Sequence, residues 1–198
     1  MDLAVIALTF VAIFVVELPD KTFVATLVLA TKYRPLLVWI GVGLAFTVQT
    51  IVAVALGHAV TYLPENLVRA VAGLIFLAGA VLLFREGRSH HKADEEEAEV
   101  AAKAKDVHGA RIVLTCFLIL FAAEWGDLSQ LLTISLVAKY DDPVGVFIGA
   151  LAALLVVSGL AAVSGRALMR FISLHVLHYV GAALCLLLAV LTGIELLA

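Results

Sequence analysis

An all-α polytopic membrane protein, with six transmembrane helices forming two inverted three-helix repeats, is predicted by three features of this 198-residue sequence. First, 64% of the residues are apolar and 15% charged, whereas soluble domains run near 45–50% and about 25%. Second, the apolar residues gather in runs of about 20, enough at about 1.5 Å per residue to cross a hydrocarbon core. Third, the two halves of the chain match at a nearly constant offset.

Turn and charge signals divide the runs into spans over 3–31, 36–60, 66–84, 112–138, 144–165 and 171–196. The first begins after Met-Asp without the basic segment of a signal peptide and is expected to persist in the mature protein. Glycines crowd the second, third, fifth and sixth, which suits close helix packing. Between the third and fourth lies the only strongly polar stretch, 85–110, with 12 charged residues in 26. The predicted organisation is a repeat over 1–84, a charged cytoplasmic linker over 85–110 and a second repeat over 111–198.

Shifted by 107, Phe10, Phe14, Glu17, Asp20, Thr22 and Thr26 fall on Phe117, Phe121, Glu124, Asp127, Ser129 and Thr133. One inserted residue later, Pro35, Gly41, Gly57 and Gly73 meet Pro143, Gly149, Gly165 and Gly181. With three spans per half, the second half enters the membrane the opposite way, an inverted repeat of the kind many transporters use. The 1–2, 3–4 and 5–6 connections hold ten Lys or Arg residues, while the other side holds Arg69 and Lys139. By the positive-inside rule the linker is cytoplasmic and both termini lie outside.

Four of the 16 acids, Glu17, Asp20, Glu124 and Asp127, fall in the middle of spans. An ionised acid there costs about 2.5–3.5 kcal/mol on insertion scales, so the four are expected to face protein, water, a cation or one another. Each pair stands at i and i+3 on one helix face. Pro19 and Gly126 lie inside the pairs, so both helices should bend or break there and release backbone carbonyls. Thr22 and Ser129 stand at i+5 from the glutamates and reach the same site only if the helix is distorted or each serves the facing repeat. Carboxylates, hydroxyls and carbonyls are hard ligands suited to Ca2+, Mn2+ or Mg2+. Four like charges in a low dielectric repel, so a site without metal takes up protons, and a divalent cation displaces them. Mutually exclusive occupancy is the requirement for cation/proton exchange. The plainer account makes the acids neutral, hydrogen-bonded ties between helices. Lys21 stands four residues after Glu17, in the order that favours an intrahelical ion pair, while its counterpart is Leu128.

Glu17-Leu-Pro-Asp20-Lys21-Thr22 and Glu124-Trp-Gly-Asp127-Leu-Ser129-Gln130 resemble the paired E-x-G-D-[KR]-[ST] signatures of the calcium/manganese:proton antiporter family. That family includes Golgi manganese transporters and bacterial manganese exporters, within the lysine exporter superfamily. The resemblance spans the whole chain. It implies cation binding by Glu17, Asp20, Glu124 and Asp127, and export of Mn2+ or Ca2+ from the cytoplasm in exchange for protons, here across a bacterial plasma membrane. Pro19 replaces the usual glycine and Leu128 the usual basic residue, which alters the charge balance of the second signature.

Thr22 and Ser129 are expected as auxiliary ligands, and Lys21, Gln49 and Gln130 as further contributors. Gln49 and Thr50 lie mid-span and either complete the site or bond between helices. Thr26 and Thr133 line the pathway or bond back to their own helices. No tightly bound cofactor is expected; the metal is the cargo, and protons and the lipid bilayer are the other partners. A net charge of −3 gives no basic field for nucleic acid. Cys116 and Cys185 lie in apolar runs and read as buried free thiols. His90, His91 and the acids at 94–97 read as solvated linker rather than a metal-gathering entrance. Three rivals are an exporter of a cationic organic solute, a passive channel and an intramembrane acid/base enzyme. The last has neither a G-x-S-x-G nor an H-E-x-x-H motif to support it.

Overall fold

Capping residues, prolines and the two acidic signatures cut the apolar runs into helices, and no strand interrupts them among the described residues. The computed structural model describes residues 2–18, 20–62, 64–86, 88, 100, 102, 104, 107–171 and 174–197. For 65, 86, 164–171, 174–177, 195 and 197 it describes the backbone alone. Among the described residues eight helices form: α1 (Leu3–Glu17), α2 (Lys21–Lys32), α3 (Pro35–Val60), α4 (Glu65–Glu86), α5 (Ala110–Ala123), α6 (Leu128–Tyr140), α7 (Pro143–Phe171) and α8 (Leu174–Leu197). The run at 3–31 is thus two helices bent by 68°, and that at 112–138 two bent by 71°. Both breaks fall at the acidic signatures, where the sequence places Pro19 and Gly126.

Segments 35–60, 66–85 and 143–163 are long and apolar enough to cross a membrane, and each bent pair supplies one more candidate span. In α8 the residues whose side chains are described form an apolar stretch over His178–Ile194. α3 shows why lipid must surround these helices. It buries Val38, Val42, Ala45 and Phe46, yet Leu44, Ile51 and Leu56 on its other side stand half exposed. A helix apolar all round finds no water-facing side.

Equivalent helices make equivalent contacts. α1 packs on α7 and α5 on α3, while α3 with α7 and α4 with α8 form the central pairs. A Cβ placed on Gly41 would lie 2.5 Å from the Val113 carbonyl oxygen and 2.9 Å from Cys116 Cβ. One placed on Gly149 would lie 2.6 Å from the Ile6 carbonyl oxygen and 2.9 Å from Thr9 Cβ. Val113 and Cys116 are Ile6 and Thr9 shifted by 107, so the same close approach occurs twice. The stacked rings of Phe10 and Phe14, 5.7 Å apart, likewise recur as Phe117 and Phe121, 5.4 Å apart. Trp39 Nε1 ties α3 to α7 by donating to the Leu155 carbonyl at 2.9 Å.

The two faces of the bundle differ in chemistry. On one, Lys32 and Arg34 share a cavity with Val107, His108 and Gly109, so the end of the linker meets the α2–α3 turn. Lys32 Nζ donates to the Ala104 carbonyl, and Val100 and Val107 pack on the core. This part of 85–110 is therefore docked, not simply solvated. The segment with His90, His91 and the acids 94–97, and the Glu99 and Lys103 side chains, lie outside the described residues, as does the side chain of His175.

On the opposite face two aspartates occupy helix N-termini. Asp2 Oδ1 accepts from Ala4 N at 2.9 Å, and Asp142 accepts from Gly145 N at 2.9 Å and from Asp2 N at 2.7 Å. The Gly145 and Asp2 amides favour the charged form and hold the Asp142 carboxyl below its ordinary value of 3.8. The folded protein therefore binds that proton less readily than the unfolded chain. Its stabilising effect is complete above the ordinary value and is lost as pH falls through the lowered folded value. Asp142→Asn should thus melt below the native protein at neutral pH in detergent, and the gap should narrow as the pH is lowered past the ordinary carboxyl value of 3.8.

Candidate cation site at the two helix breaks

Each break ends one helix on a glutamate and starts the next on an aspartate. Glu17 closes α1 and Asp20 is the N-cap of α2; Glu124 follows α5 and Asp127 is the N-cap of α6. The second turn uses Gly126 at φ +79°, a conformation that side-chain-bearing residues rarely adopt. Gln130 Oε1 accepts from the Gly126 amide at 2.8 Å and braces that turn. Gln49 Nε2 donates at 3.0 Å to the Phe121 carbonyl, one of those that the broken helix leaves without an internal partner.

The breaks bring the acids of both halves to one place. Carboxylate oxygens of Glu17, Asp20 and Asp127 all lie within 4.8 Å of one another. Glu124 lies within electrostatic reach of Glu17, Asp20 and Asp127. Glu17 is fully buried and Glu124 is 3% exposed. Both oxygens of Glu17, both of Glu124 and Oδ2 of Asp20 are buried without a hydrogen-bond partner, as is the Thr22 hydroxyl. Helix-tying carboxyls would show partners, so this arrangement does not favour the structural account of the acids.

The hydroxyls approach as the distorted-helix and facing-repeat alternatives require. Thr22 and Ser129 both stand beside Glu17, and Thr22 also stands beside Glu124, although none meets hydrogen-bond geometry. Lys21 departs from its expected partner. With the helix broken, the i to i+4 relation to Glu17 disappears, and Lys21 Nζ instead donates to Asp127 Oδ1 at 2.9 Å across the repeats.

A cavity of about 20 Å³ adjoins Glu124, bounded by Gln49, Thr50, Ser129, Gln130 and Thr133, and is large enough for one water or a bare ion. The matching place in the other half is filled. Phe23, the counterpart of Gln130, packs with Val157 and Ala161, the counterparts of Gln49 and Ala53. Sequence reasoning passed over Phe23, although the offset that equates it with Gln130 carried the signal. It also passed over Thr9, whose hydroxyl, like that of Thr26, is buried without a partner. Thr133, Thr50 and Ser158 bond back to carbonyls of their own helices. Cys116 and Cys185 are buried free thiols.

Two broken apolar helices meeting at a buried oxygen cluster define a polytopic membrane protein with a central cation-type site. The chain belongs to the divalent cation/proton antiporter GDT1 family, whose profile matches residues 5–91 and 112–198. It is 35% identical to Protein PAM71, chloroplastic, of Arabidopsis thaliana, over 96% of this chain and 56% of that protein. It is 34% identical to GDT1-like protein sll0615 of Synechocystis sp., over 91% of this chain and 92% of that one. GDT1-like protein 1, chloroplastic, of Oryza sativa subsp. indica is 31% identical, over 96% of this chain and 61% of its own length. The chain thus spans somewhat over half the length of these chloroplast relatives. No solved structure matches it. The family is one of transporters, and the enzyme alternative falls away.

Proposed function

We propose that this protein exchanges Mn2+ and/or Ca2+ for protons and exports the metal from the cytoplasm of a bacterium across its plasma membrane. Both termini would lie outside and the linker inside. Glu17, Asp20, Glu124 and Asp127 are the metal ligands in this reading, with Thr22 and Ser129 auxiliary, and Gln49 and Gln130 supporting the second break. The observation that carries it is the meeting of Glu17, Asp20 and Asp127, with carboxylate oxygens within 4.8 Å of one another, beside buried oxygens of Glu17, Asp20 and Glu124 that have no hydrogen-bond partner. Two ligands of one Ca2+, each at about 2.3–2.6 Å, can be no more than about 5 Å apart, a limit that the oxygens of Glu17, Asp20 and Asp127 meet. Without the ion, protons are the one small species able to neutralise the same oxygens, and this couples the two fluxes.

Supporting alternating access, Gln49, Thr50, Ser129, Gln130 and Thr133 join apolar side chains around the cavity beside Glu124, whereas at the matching place in the other half Phe23 packs on Val157 and Ala161. The repeated contacts at Gly41 and Gly149 and the two stretches matched by the family profile support two inverted halves of three spans each. In proteoliposomes, an imposed pH gradient should drive Mn2+ or Ca2+ movement, and metal addition should drive protons the other way. Metal flux without proton movement would defeat the reading and indicate a channel. The Lys21 ammonium on Asp127 favours one alternative, export of a cationic organic solute. Competition of lysine with Mn2+ in the same vesicles separates the two.

A further inference from the structure

Among the four acids, Asp127 is the one whose oxygens both have partners. Its Oδ1 takes the Lys21 ammonium at 2.9 Å and its Oδ2 accepts from Ser129 N at 3.4 Å. Glu17, Glu124 and Asp20 all keep oxygens with none. Lys21 is the first residue of α2, where the helix dipole disfavours a cation. Its position is therefore held by the carboxylate from the other half. Its side chain is 35% exposed against 14% for Asp127, so the ammonium sits at the rim of the cluster on a flexible stem. The reciprocal pair is missing. Residue 128, which would face Asp20, is a leucine whose side chain lies against Gly79.

A divalent ion touching Glu17, Asp20 and Asp127 must share Asp127 with that ammonium, and the two cations repel. We propose that Lys21 is a tethered competitor of the transported ion. Its ammonium occupies Asp127 while metal is absent, swings away from the cluster when metal binds, and returns to help expel the metal on the release side. Residue 21 thereby sets the affinity of the site. This rests on the cation/proton exchange reading above.

The test is equilibrium titration of the purified full-length protein with Mn2+ at one fixed pH. Lys21→Met should bind Mn2+ about tenfold more tightly than the native chain, while Lys21→Arg keeps a native-like, weaker affinity. In an Asp127→Asn background the gain from Lys21→Met should shrink to about threefold or less, because no shared carboxylate is left to contest. Unchanged affinity in Lys21→Met overturns the proposal. An equal gain with and without Asp127 also overturns it, since that would be a general charge effect. Lys21→Gln provides the same comparison if the methionine variant does not fold. If the native protein binds neither Mn2+ nor Ca2+ saturably, or if Glu17→Gln and Glu124→Gln bind the metal as the native chain does, the exchange reading fails and takes this proposal with it.

Discussion

Glu17→Gln and Glu124→Gln should each lower metal flux driven by a pH gradient by about 100-fold or more, since even outer-shell partners of a metal ligand are worth about 10–100-fold. Glutamine keeps the shape of the side chain and mimics the protonated acid, but it can neither ionise for a metal nor release a proton. One substitution therefore removes both states of the exchange cycle. Stability should move the other way. Glu17 is fully buried with both oxygens unpartnered, so a neutral amide is no harder to hold there than a carboxylate. A folded variant that melts no lower than the native protein in detergent but fails to transport separates ligand from scaffold. Native-like flux in both variants would end the assignment of these acids.

Gly41→Ala and Gly149→Ala should destabilise the protein by about 1–3 kcal/mol each, and to similar extents, with valine at either position worse. At both sites the new Cβ would meet a backbone carbonyl oxygen of the neighbouring helix, at 2.5 Å for Gly41 and 2.6 Å for Gly149. Backbone cannot turn aside as a flexible side chain can, so the helices must separate. Gly193 lies in the same kind of apolar helix with open space around its Cβ position, and Gly193→Ala should leave the melting temperature unchanged or slightly raised. Thermal unfolding of the three variants in one detergent checks the set. A large loss at Gly41 with none at Gly149 would contradict the equivalence of the two contacts.

Much of this arrangement was legible in the residues themselves. The pairing of acids with Pro19 or Gly126 marked the breaks that separate α1 from α2 and α5 from α6. The repeat, offset by 108 residues at this point of the chain, paired Gly41 with Gly149. What could not be read was partnership through space. Lys21 was weighed against Glu17 because sequence spacing speaks only for an intact helix, and the break hands it to Asp127 instead. The docking of Ala104 against Lys32 was hidden for a similar reason, since a charged stretch gives no sign of which small residues in it will be covered. Phe23 looked like one more apolar residue until its neighbours Val157 and Ala161 were known.

The close approaches at Gly41 and Gly149 have a mechanical consequence. Each joins a helix of one half to a helix of the other, α3 to α5 and α7 to α1. The two copies are therefore interlocked like clasped hands, and neither can swing as a block without prising backbone from backbone. The rigid bodies of the transport cycle must cut across the duplication, each built from pieces of both copies. Spin labels placed on α1 and α7 should keep a constant separation through the cycle, while labels on α2 and α7, which flank the Phe23 plug, should not.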